Sequence, residues 1–282
     1  MSDVLEGWER STFTAAGLTR EVFRRGTGPG IVVVPEVPGI TPKVTEFANE
    51  VVERGFTVVM PSLVGEPGKE PSNGYALQSM LKVCVSREFT NMAMQRTSPV
   101  IGFLRALARN LHLEVGGPGV GAVGMCFSGG FALGMMVDDI MLAPVLSQPS
   151  MPFAMGAARG ADLNLSPDDA LVVAKRATEG CQVLGLRYRD DKLVGTRFDS
   201  LRSLLGDAFG SDLPVQLAAT DPAEGPAPTS IAAGRRQSEF MASPFSSGYG
   251  RVADQHGMAS RPVAAQQSRP ASTNRGDSLP EG

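Results

Sequence analysis

The sequence predicts an α/β fold built on a mostly parallel sheet, and three observations carry that expectation. Short apolar runs recur through residues 1 to about 210: IVVVP (31–35), FTVVMP (56–61), VGAVGM (120–125), IMLAPVLS (140–147) and QVLGLRY (182–188). They are apolar on both faces, as central parallel strands must be when layers of structure cover both sides of a sheet. Helical patterns alternate with these runs, the arrangement that joins parallel strands by crossovers. Three of the helical stretches also open with one signal, a hydroxyl side chain followed by proline at the first helical position.

The elements follow in chain order. Thr41 and Pro42 begin a stripe of Val44, Phe47, Ala48, Val51 and Val52 that Gly55 closes. Ser98 and Pro99 begin a second, through Val100, Phe103, Leu104 and Leu107, read as ending near Asn110. Ser166 and Pro167 begin a third, with Asp169 where a reciprocal capping carboxylate belongs. Character changes near residue 210: about half of residues 211–282 are Ala, Ser, Pro or Gly, and large aliphatic residues thin out below the level of a packed core. LPVQLAA (213–219) reads as one further edge strand. The chain therefore divides into a folded domain over 1–219 and a low-complexity, disordered tail over 220–282.

Composition narrows the function classes. The formal charge is −3, from 26 basic and 29 acidic side chains among 282 residues, and no Lys/Arg block is present. Backbone phosphate binding needs clustered positive charge, so nucleic acid is not an expected partner. No apolar run approaches about 18 residues, and the opening MSDVLEGWERST lacks the basic-then-apolar layout of a secretion signal, so no membrane partner and a cytoplasmic location are expected. Cys84, Cys126 and Cys181 are an odd number at unpatterned spacing, which suits reduced thiols. No His/Cys pair has ligand spacing, so neither metal nor cofactor is expected.

The chemistry concentrates in GAVGMCFSGGFALGMM (121–136). A glycine-spaced strand ends at Met125 and a helical pattern begins at Phe127, which leaves Cys126 on the turn between them. Gly124, Ser128, Gly129 and Gly130 are small enough for a sharp turn and a close helix–strand approach. This is a nucleophile-elbow layout: the thiol projects above the carboxyl edge of the sheet, the following helix N-terminus favours thiolate, and the Phe127 amide is free for an oxyanion. The competing reading is a buried cysteine acting as a small hydrophobe. Gly119, Gly121 and Gly124 also spell GxGxxG, but they precede and lie within the strand, whereas a dinucleotide site needs them after it.

VVVPEVPGITP, GFTVVMPSLVGEPG, GAVGMCFSGG and LGLRYRDDKLVGTRFDSLRSLLGDAF, in this order, resemble the dienelactone hydrolase family of the α/β-hydrolase fold over residues about 20 to 210. The resemblance implies a Cys-His-Asp triad with an extra carboxylate beside the thiol. Cys126 matches the nucleophile and Glu36 the extra glutamate, which in the family holds the resting thiol and shifts when substrate enters. The Val37 amide matches the second oxyanion donor, beside that of Phe127. Independently, Glu36 ends an apolar strand at its carboxyl edge, where open α/β sheets place their sites. The triad aspartate falls on Asp191, with Asp190 as the alternative; both also read as ordinary turn aspartates.

Substrates of the family carry a carboxylate that arginine recognises, and Arg87 is the candidate here, with Arg96 beside it in chain order; both also read as solvated surface arginines. The base is where the pattern breaks. His112 belongs at the opposite, amino-terminal edge of the sheet. His256 has the right chain order but sits in the low-complexity tail with no helical stripe on either side, so the family's histidine is not carried over. The expected function is hydrolysis of a small ester or lactone, a small-molecule partner, through a cysteine nucleophile. The alternative is a catalytically impaired homologue that binds a small carboxylate or a partner. The sequence leaves the oligomeric state open.

Overall fold

The computed structural model of the chain describes residues 3–89, 95–187 and 191–210. The 213–219 strand, the tail, Asp190 and His256 lie outside them. Two strands precede the first expected one. β1 (Glu9–Ala15) and β2 (Leu18–Arg25) form an antiparallel hairpin, turned at Ala16 and Gly17 with φ of 50° and 76°. Both central residues of such a two-residue turn need positive φ. β1 reads ERSTFTA, with four exposed residues in a row, so it has no apolar run to announce it.

The chain continues through β3 (Gly30–Val34), α1 (Pro42–Glu53), β4 (Thr57–Pro61), α2 (Asn73–Val85), α3 (Pro99–Val115), β5 (Val120–Met125), α4 (Gly129–Met135) and β6 (Met141–Ser147). It then runs through α5 (Ala157–Ala161), α6 (Pro167–Thr178), β7 (Val183–Leu186), α7 (Arg197–Leu205) and β8 (Phe209–Gly210). The sheet order is β1-β2-β4-β3-β5-β6-β7-β8. β1, β2 and β4 pair antiparallel; every pairing from β4 through β3 to β8 is parallel. All five apolar runs are strands, and β3, β4 and β5 are buried at every residue.

The period of two in each strand divides the core. Val32, Val34, Ala122 and Leu146 face a cluster with Phe103 of α3, Phe131 of α4, Val173 of α6 and Leu201 of α7. Ile31, Val33, Val123 and Val145 face the other side, with Phe47 of α1 and Trp8. At the far end of that second face, Ala143 and Leu184 are only half-buried.

The three hydroxyl–proline starts are helix starts, but their hydrogen bonds differ. Thr41 and Ser166 accept from the amides of Val44 and Asp169. Ser98 makes no such bond; its hydroxyl donates instead to Phe89 O at 2.6 Å. Asp169 does not close a reciprocal cap, because its carboxylate takes the Thr97 hydroxyl, and Thr97 Oγ1 in turn accepts from the Ser166 amide at 3.0 Å. α3 runs five residues past Asn110, so His112 is inside the helix. Its neighbour Leu111 packs where a side chain on Gly30 would sit, against the first residues of β3 and β5. His112 is thus at the amino edge of the sheet, as its place in the chain requires.

Arg197, at the start of α7, is the largest fully buried side chain among the described residues and only 1% exposed. Burial lowers its pKa to about 10, which leaves it charged at neutral pH. Its Nε donates to Asp162 O at 3.0 Å; Nη1 donates to Leu193 O and Val194 O at 3.0 and 2.8 Å; Nη2 donates to Pro152 O and Arg159 O. One guanidinium thereby ties the 152–162 segment to the 193–194 turn. Replacing it with methionine takes the donor from the carbonyls of Pro152, Asp162 and Leu193, while Val194 O and Arg159 O keep the backbone amides of residues 197 and 162, and each buried group so orphaned costs about 1–3 kcal/mol before water compensates. We expect Arg197→Met to lose about 3 kcal/mol or more, read as a lower urea midpoint at unchanged slope.

Candidate active site

Strand register sets the site. Val34 pairs with Gly124, and Met125 with Ser147. Glu36 and Cys126 lie two residues beyond a matched pair, so they leave β3 and β5 at the same height on the carboxyl edge; Gln148 follows on β6. Cys126 has φ of 53°, in the left-handed region that non-glycine residues seldom occupy. It is held there by its neighbours. Ser128 Oγ accepts from the Met125 amide at 3.0 Å and lies 2.9 Å from Val34 O, stitching the turn to β3. A side chain on Gly124 would meet Ser128 O at 2.3 Å, so only glycine lets the turn fold back over the strand. Beneath it, the Phe127 ring packs edge-on against Phe89 and Phe131, at 5.5 and 5.7 Å between centroids.

Cys126 is half-buried, and the thiol group itself sits in desolvated surroundings. Burial first, then the charge of Glu36 and more weakly that of Asp191, push its pKa up to about 11. Hydrogen bonds from Ser150 and from the Phe127 amide work the other way. The helix-terminal Phe127 amide does favour thiolate, as expected, but burial outweighs it. A helix dipole contributes about 0.3–1 kcal/mol, whereas a rise of two units costs about 3 kcal/mol. In the resting site the sulfur carries its proton. Glu36 is 4% exposed, and burial pushes its carboxyl up to about 8.

The remaining candidates divide. Asp191 is half-buried after β7, its Oδ1 accepting from the Leu193 amide at 2.8 Å, and its charge reaches both Cys126 and Arg197. Val37 is buried beside Glu36. Arg87 and Arg96 are exposed; Arg87 lies in the turn after α2, two residues before Phe89. No imidazole among the described residues accompanies Asp191. Cys181 is half-buried, with its thiol 3.4 Å from Met141 O, as a packing residue would be.

Two polar residues of LSQPSMP (146–152), to which no local pattern assigns chemistry, lie at the site. Ser150 Oγ is 3.5 Å from Cys126 Sγ, and Gln148 is buried with φ of 50°. Register could have placed Gln148, since Ser147 pairs with Met125; nothing local marks Ser150. Among the described residues, no cluster of His, Cys, Asp and Glu could hold a metal, and no helix is long and apolar enough to cross a membrane.

Residues 19–147 match the sequence model of the dienelactone hydrolase family. Among proteins of curated function, none matches the chain. Among solved structures, m3DLH is similar at 18% identity and a TM-score of 0.53, covering 83% of this chain and 94% of that one. A dienelactone hydrolase-like promiscuous phosphotriesterase from metagenomic libraries is similar at 18% identity and a TM-score of 0.53, covering 85% and 97%. An epoxide hydrolase from Vigna radiata is 19% identical with a TM-score of 0.34, and the alignment covers half of this chain and 38% of that one. The fold is that of an α/β hydrolase.

The buried Glu36 carboxyl links stability to pH. Its folded pKa, about 8, lies above the ordinary 4.5, so the folded chain keeps a proton that the unfolded chain releases. The resulting stability is complete below the ordinary value and is lost as pH rises through about 8. Between about pH 5 and pH 8.5 the urea unfolding free energy is expected to fall by a few kcal/mol, at roughly 1.4 kcal/mol per unit of pKa difference. Glu36→Gln is expected to remove most of that slope.

Proposed function

We propose that this dienelactone-hydrolase-like chain hydrolyses a small ester or lactone through Cys126. The family match supports a hydrolase. The observation that carries the cysteine reading is the strained elbow, φ 53° at Cys126, with Glu36 leaving the adjacent strand at the same height. Sγ attacks the carbonyl carbon, and negative charge gathers on the carbonyl oxygen, where the Phe127 and Val37 amides are its donors. Collapse of that adduct breaks the C–O bond, the thiol proton ends on the leaving alcohol, and a thioester remains. Water then cleaves the thioester, releasing the acid and returning the proton to sulfur.

Glu36 modulates the thiol in this scheme, and Asp191 stands ready to orient a histidine that no described residue supplies. Arg87 is the candidate for a substrate carboxylate. A pKa near 11 means that thiolate is scarce before substrate arrives, so loss of the sulfur proton has to be coupled to binding.

One observation favours a second reading, a catalytically impaired homologue that binds its ligand without turnover. Asp191 has no imidazole beside it among the described residues, and general acid–base catalysis contributes about 10²- to 10⁴-fold. Thioester hydrolysis is the step that depends on it most.

Stopped-flow hydrolysis of p-nitrophenyl acetate separates the two. The hydrolase reading expects steady turnover that Cys126→Ser lowers by about 10³-fold or more and Asp191→Asn lowers by at least about tenfold. One equivalent of nitrophenol without further release supports the impaired homologue. Neither burst nor turnover, or a Cys126→Ser variant as active as the parent, would rule out cysteine catalysis.

A further inference from the structure

We propose that Ser150 is a catalytic partner of Cys126, its hydroxyl accepting from the resting thiol and donating to the thiolate once the sulfur proton has left. This deepens the reading of Cys126 as nucleophile and rests on it. Ser150 Oγ lies 3.5 Å from Sγ, an ordinary distance for a hydrogen bond to sulfur, and the residue is 2% exposed. Among the described residues, the sulfur is the hydrogen-bond partner of that hydroxyl. A hydroxyl is both donor and acceptor and rotates at little cost, so one atom pair serves both protonation states of the sulfur.

The placement is built into the backbone. The Ser150 amide donates to Cys126 O at 3.0 Å, binding the segment after β6 to the elbow itself. Two residues earlier, the Gln148 amide donates to Leu186 O at 2.7 Å, anchoring the same segment to the end of β7. Between them, Pro149 rests on the start of α4 so closely that a side chain on Gly129 would come within 2.6 Å of its Cα. The backbone that carries the hydroxyl is thus anchored at three points beside the elbow.

The surrounding charges show why such a donor is needed. Glu36, from the end of β3, opposes a negative sulfur once it is itself ionised, and Asp191, from the turn after β7, opposes it more weakly. Arg197, behind Asp191, has its donors engaged with backbone carbonyls. The Phe127 amide favours thiolate but is also the donor required by the oxyanion. Ser150 is the donor that can stay with the sulfur while Phe127 turns to the substrate.

The test is a thiolate titration of the full chain by ultraviolet absorbance after rapid pH jumps, taken in difference against Cys126→Ala. Ser150→Ala is expected to raise the Cys126 midpoint by about one unit and to slow its alkylation by iodoacetamide near pH 8 about tenfold, the scale of a hydrogen bond to a charged group. Mass mapping of Cys84 and Cys181 alkylation, unchanged in rate, reports an intact fold. A Cys126 midpoint that does not move overturns the proposal. If Ser150→Ala opens the fold and exposes Cys84 and Cys181, Ser150→Thr decides: a parental midpoint supports the hydroxyl role, and a raised one overturns it. These readouts need no ester turnover, so an inactive protein with the expected shift would sink the hydrolase reading alone.

Discussion

A close approach of backbone to backbone at the end of β5 is the constraint on which the rest of the site depends. Gly124 lets Ser128 O come to where a side chain would stand, and Gly129 does the same for Pro149. With α4 drawn in that far, the residue between strand and helix must take a left-handed conformation, and at position 126 this is a cysteine. The strain persists because the surroundings over-determine it. Ser128 pins the turn to β3, the Ser150 amide caps Cys126 O, and three phenylalanine rings fill the space below.

The geometry that sets Cys126 on its turn also disfavours the charged form of the thiol. Around Cys126 two hydrogen-bond donors work against burial and two carboxylates, and burial wins. The same desolvation acts on Glu36, which therefore competes poorly for the role of a permanently charged base. A protonated thiol beside a largely protonated carboxyl is a resting state with little net charge in a buried place.

Arg197 plays for the loops the part that Ser128 plays for the elbow. A buried charge with five backbone acceptors is expensive to assemble, and its use is to hold together two segments that share no secondary structure. One of them follows the Ser150 segment and the other carries Asp191. The thiol's environment on the β6–β7 side is consequently set by a residue that touches neither sulfur nor carbonyl.

Much of this was legible in the residues. Period and apolarity placed β3 to β7, proline after a hydroxyl placed three helix starts, and small residues around position 126 placed the elbow; each signal is local, and local sterics enforce it. Chain order alone put His112 at the wrong edge, because a helix that leads into a strand must end where the strand begins. The β1–β2 hairpin escaped notice because an exposed strand has no apolar pattern, and Asp169 left its expected cap because Thr97, 72 residues away in sequence, competes for it. The protonation of the thiol, the reach of Ser150 and the buried guanidinium of Arg197 were decided only by tertiary structure. Each depends on desolvation or on contacts between distant segments, and a linear sequence carries no measure of how far water is excluded from a point in space.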